Sequence, residues 1–152
     1  MATDSIREQL LAAIETRLKG IVKGATYHYT PGEVLRDWKN YDEVTGFPFY
    51  GIIEVEEDSE AFTYTNLQAQ LRVTIVGWVN GDKMEQGKRR LALNRAIADV
   101  RRAVMSEESW GGLALVTRIP RTTTDEATWT ARPFAYFEMT VEIDFVHART
   151  AA

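Results

Sequence analysis

Between Phe134 and Val146 the chain reads FAYFEMTVEIDFV, a run that admits one kind of backbone. Ala135, Phe137, Met139, Val141, Ile143 and Phe145 share one parity, and Glu138, Thr140, Glu142 and Asp144 share the other. Successive side chains of a strand point to opposite faces, so this alternation predicts a strand with one buried and one wet face. A helix would scatter both sets around its circumference. A second run obeys the same rule: Leu67, Ala69, Leu71, Val73 and Ile75 alternate with Gln68, Gln70, Arg72 and Thr74. Two such strands need a cover for their apolar faces, and two amphipathic helices are available to supply it.

The first helix is announced by Ser5 and, three residues on, Glu8, the spacing of a capping box. Ile6, Leu10, Ile14, Leu18 and Ile21 then form one apolar stripe, with a helix end near Lys19 and Gly20 placed for the C-terminal turn. The second helix is expected from about Met84 to Met105, on a stripe of Leu93, Ile97, Val100 and Val104. Gly87 weakens its first turns by about 1 kcal/mol relative to alanine, which favours a later start. Further strands are expected at Ala25–Tyr29, Phe49–Val55 and Leu113–Ile119, with a short helix near Val34–Trp38. Glu56 to Glu60 reads as an acidic connection, and Pro120 to Pro133 as a long polar one. The order predicts an α+β fold, an antiparallel sheet with two helices on one face, in a single domain over residues 1–152.

Little in the chain points to catalysis or to a cofactor. It has no cysteine, which removes disulfides, thiolate nucleophiles and cysteine-based zinc sites together. His28 and His147 stand near opposite ends without metal-ligand spacing, and no GxSxG elbow or glycine-rich phosphate loop is present. WGG at Trp110 reads as a helix-to-strand turn. A net charge of −4 without a basic block argues against docking on nucleic acid, and no apolar run reaches the ~20 residues that cross a bilayer. MATDSIREQL lacks the shape of a secretory signal, so a soluble protein of cytoplasmic origin is expected.

Three groups of residues remain as candidates. Glu54, Glu56, Glu57, Asp58 and Glu60 could hold a hard cation but lack the D-x-D-x-D-G pattern, so a solvated loop is preferred and no metal site is assigned. Glu138, Glu142 and Asp144 share one side of a strand. They are either a polar face, paired with Arg72 of the neighbouring strand, or a negative wall lining a channel for a polyanion. Trp38 and Tyr41 in one long loop, and Arg121, Trp129 and Arg132 in the other, are the aromatic and arginine residues that interfaces favour.

The whole layout resembles a known family. A capped helix (SIREQLLAAIETRLKGI), a long strand (LQAQLRVTIVGWVN), an Arg/Ala-rich helix (RRLALNRAIADVRRAV) and a closing strand (FAYFEMTVEIDFV) together resemble the tail terminator proteins of tailed bacteriophages. The resemblance spans about Ile6 to Val146 and rests on element order, so it transfers no residue by position. It implies a structural, non-enzymatic virion protein assembled in the host cytoplasm and lodged in the tail or neck. Such a protein forms a ring, a homohexamer, that caps the tail tube, ends its polymerisation and receives the head–tail connector. DNA passes through without sequence-specific binding. The alternatives are another neck, head–tail completion or tube protein, or a small metal- or ligand-binding domain built on the acidic 54–60 cluster.

Overall fold

The computed structural model describes residues 2–61, 66–125 and 133–148. In chain order it contains α1 (Ile6–Lys19), β1 (Glu33–Leu35), β2 (Phe49–Ala61), β3 (Asn66–Asn80), α2 (Gly81–Glu85), α3 (Arg89–Val104), β4 (Val116–Asp125) and β5 (Phe134–Ala148). The strands form one sheet in the order β1-β2-β3-β5-β4. The α+β class holds, with α1 and α3 packed on one face of the sheet. The sheet itself is mixed, since β1 runs parallel to β2 while the other pairings are antiparallel.

The inner face follows from alternation. Leu71, Val73 and Ile75 of β3 meet Phe137, Met139, Val141 and Ile143 of β5, all fully buried. Onto them α1 lays Leu10, Ile14 and Leu18, and α3 lays Leu93, Ala96 and Val100. Ser5 caps α1 by accepting the Glu8 N–H at 3.2 Å. The Glu8 carboxylate, expected to return to the cap, instead takes a forked ion pair with Arg36 at 2.6 and 2.7 Å. That pair holds its pKa below the usual carboxylate range.

Several expected boundaries are corrected. The helix expected from Met84 breaks at Gln86 (φ 51°) and Gly87 (φ 89°), left-handed positions that stop α2 before α3 begins. Ala25–Tyr29 is not a strand; it is a turn with a single bridge, Lys23 to Tyr27. Its shape is set from α3, where buried Asp99 accepts the N–H groups of His28 and Tyr29 at 2.9 and 3.0 Å. Val34 lies in β1 rather than in a short helix. Glu56 to Glu60, read as a connection, is the second half of β2. The strand expected at Leu113–Ile119 begins at Val116 and runs on to Asp125 through a bulge between Arg118 and Arg121. Pro120 sits inside that bulge, on an edge strand, where its missing N–H is tolerated.

Candidate assembly surface

The outer face of the sheet, opposite the helices, has two unlike ends. At one end the outward positions turn apolar. Val76 and Trp78 of β3 share this face with Phe49 of β2 and Phe134 and Tyr136 of β5. The segment between β1 and β2 folds over them. Gly32 and Gly46 cross so closely that a Cβ on Gly32 would lie 2.4 Å from the Gly46 carbonyl carbon, and only glycine permits the crossing. This closure sets Tyr41 against Phe134, ring centroids 3.8 Å apart, and Trp38 edge-on to Tyr136 at 5.3 Å. The Trp78 indole N–H donates to the Lys39 carbonyl at 2.9 Å, and Asn80 Nδ2 donates to the Tyr41 hydroxyl at 2.8 Å. Burial raises the Tyr41 pKa.

Trp38 and Tyr41 are thus brought together, but against their own sheet. Tyr41 packs against a second small core of Phe49, Val76, Trp78 and Phe134, and Trp38 lies at its rim, in ring contact with Trp78 and Tyr136. Trp38 stays 38% exposed. The sequence carried a signal for this core: in both long strands the wet parity ends in aromatic residues, at Trp78 and at Phe134 and Tyr136.

The other end is a charge ladder. Register places Glu56 opposite Arg72, Arg72 opposite Glu142, and Glu142 opposite Arg118, one residue from each of β2, β3, β5 and β4. Arg72 Nη1 reaches Glu56 at 2.9 Å and its Nε reaches Glu142 at 3.2 Å. Arg118 lies 3.7 Å from Glu142 and forks onto Asp144 at 3.0 and 3.1 Å. Glu142 and Asp144 therefore share the expected face, and each has a guanidinium beside it. Glu138 sits further along the same face and accepts the Tyr136 hydroxyl at 2.7 Å, joining the two ends. Arg121 is exposed on β4, in register with Thr140. Trp129 and Arg132 lie outside the described residues. Sequence reading missed Glu56 and Arg118 as the ends of the ladder, because only strand register aligns them.

Strand geometry also divides the acidic 54–60 cluster. Glu56 and Asp58 turn outward toward Arg72, whereas Glu57 points to the helix side and pairs with Arg7 of α1 at 3.6 Å. No group of three acidic, histidine or cysteine side chains among the described residues is placed to hold a metal ion. A shallow cleft of about 480 Å³ lies between the 23–30 turn, α2 and α3. There the Glu85 carboxylate accepts from the Tyr29 hydroxyl at 2.5 Å and from Arg95 at 2.7 Å. These bonds hold Glu85 ionised, and burial with the carboxylate neighbour pushes the Tyr29 hydroxyl up. Neither group is poised to exchange a proton near neutral pH. No described helix is long and apolar enough to cross a membrane.

No family model and no curated protein matches the chain. Among solved structures, a chain from the virion of a native gene transfer agent particle superposes with a TM-score of 0.60 at 10% identity. The match covers 95% of this chain and 100% of that one. In fold, this chain is similar to a virion protein chain.

Proposed function

We propose that the protein is a structural subunit of a phage-like virion, and specifically a tail terminator that closes as a ring on the end of a tail tube. The observation that carries this reading is the end-to-end likeness in fold to a chain of a gene transfer agent virion. The tail-terminator resemblance of the sequence points the same way. In this reading six copies form the ring, one side meets the tube protein and ends its polymerisation, and the other receives the head–tail connector. The subunit sits in the tail or neck of the virion after assembly in the host cytoplasm.

The outer face of the sheet then lines the lumen and the helices point away from it. On that face carboxylates (Glu56, Asp58, Glu138, Glu142, Asp144) outnumber the guanidiniums of Arg72, Arg118 and Arg121. A lumen of that sign repels the phosphate backbone and lets DNA pass without gripping it. The exposed Trp38, with Arg121, contacts a neighbouring subunit or the tube, and so do Trp129 and Arg132. Class averages from electron micrographs of the purified protein, alone and mixed with tube subunits, test the proposal. A closed ring with an open centre on tube ends is the expected result. Monomers under both conditions, or binding along the tube wall with its length unchanged, would overturn it.

A further inference from the structure

The two ends of the charge ladder lie at the two open edges of the sheet, and they carry opposite signs. β1 pairs only with Phe49–Gly51, so from Ile52 to Ala61 the outer side of β2 has no strand partner among the described residues. Nor has the outer side of β4. An open edge offers unpaired N–H and C=O groups to any other strand, and natural sheets restrict what can add to them. Here β2 bears Glu56, Asp58 and Glu60 along its edge, while β4 bears Arg118, Arg121 and the bulge at Pro120.

Across the sheet the ladder reads Glu56, Arg72, Glu142, Arg118: negative, positive, negative, positive. We infer that a second copy of this chain docks edge to edge, its β2 adding beside β4, so that Glu56 of one copy faces Arg118 of the next. The inference rests on the ring reading and names its contact. Three features of the structure favour this partner. Charge alternation continues unbroken across such a junction, whereas β2 on β2 opposes carboxylates and β4 on β4 opposes arginines. The strands β2, β3, β5 and β4 alternate in direction, so the junction is antiparallel like every contact inside that group. Pairing two different edges is also head-to-tail, the type of contact that propagates and can close as a ring, while like-edge pairing stops at a dimer.

Charge reversal at the two ends tests this directly. Glu56→Lys makes both ends of the ladder in a copy positive, and Arg118→Glu makes both negative. Each variant alone is expected to lose the multimer by native mass spectrometry, with dissociation constants at least about tenfold higher. Mixed in equal amounts, the two restore every junction in an alternating ring, so multimers larger than a dimer return. Circular dichroism checks that each variant is folded; if a reversal unfolds the chain, Glu56→Gln and Arg118→Gln replace it, each expected to weaken the multimer. Variants that assemble like wild type, or folded variants whose mixture stays monomeric, overturn the edge contact and leave the ring reading standing. Return of a heterodimer alone overturns it in favour of like-edge pairing. Wild-type protein that is monomeric under all conditions overturns the ring reading and this contact with it.

Discussion

The two ends of the outer face are made from the same strands and have opposite fates. At the Trp78 end, aromatic side chains on β3 and β5 are covered by the chain's own segment between β1 and β2. At the Glu56 end, charged side chains stay open, with Glu56 at 70% and Arg118 at 43% exposure. Composition alone suggested the reverse division of labour, aromatic residues for partners and charges for solvent. Once register is known, the aromatics other than the exposed Trp38 are used in holding the fold, and the charges are ordered into a row that ends at two open edges. Residue type does not distinguish an interface from a small core; what matters is whether the same chain can reach over and cover the side chain.

If that division is right, damage at the covered end is read as lost stability. Trp78→Ala removes a ring that is 5% exposed and touches Tyr41, Phe134 and Tyr136. A loss of about 3–5 kcal/mol is expected by chemical denaturation. A loss below about 1 kcal/mol would mean that the segment over the sheet is not anchored there. Gly32→Ala comes next, because its new Cβ meets the Gly46 backbone, which cannot rotate away. About 1–3 kcal/mol is expected, with Trp fluorescence shifting as the cover, which carries Trp38, lifts from Trp78. An unchanged spectrum and midpoint would show that the crossing relaxes freely.

How much of this was legible follows from what each signal depends on. The inner face was readable because alternation is local, and Phe137 to Phe145 declare their face without knowledge of a partner. That signal disappears in the second half of β2, where the wet face carries Glu56, Asp58 and Glu60 and the other face ends in Glu57 and Ser59. Without an apolar face a strand reads as a loop. Val34 failed for a different reason: three residues are too few to show a period, and its parallel pairing with Tyr50 is not local. Among the candidate site residues, Glu142 with Arg72 was foreseeable from two neighbouring strands. Arg118 was not, because its place opposite Glu142 is set by the β4–β5 register, which is not local; the bulge around Pro120 shifts only the residues after it.

A smaller effect sharpens the comparison at its boundary. Tyr41→Phe keeps the ring stacked on Phe134 and removes the oxygen that accepts from Asn80, a residue only 5% exposed. About 1 kcal/mol is expected from the lost hydrogen bond, with β3 still capping α2 through the Asn80 side chain. A loss as large as that of Trp78→Ala would move Tyr41 from the rim of the small core to its centre.

The smallest effect on stability is expected in the middle of the ladder, and it is the one that can break the comparison. Arg72 touches Glu56 and Glu142 and is partly exposed, and ion pairs open to water contribute little because water screens them and ordering the side chains costs entropy. Arg72→Met should therefore leave the denaturation midpoint nearly unchanged. Yet the same substitution removes the positive step between two carboxylates, so Glu56 presents a stronger negative field at the β2 edge. Two assays on one variant then read the two ends separately: unfolding reports the fold, and the salt dependence of self-association reports the edge. A fall in stability comparable to that of Trp78→Ala would show that the charged end also holds the fold together, and the contrast between the ends would be lost. A steady midpoint with altered salt dependence is what a row of charges kept for contact between copies requires.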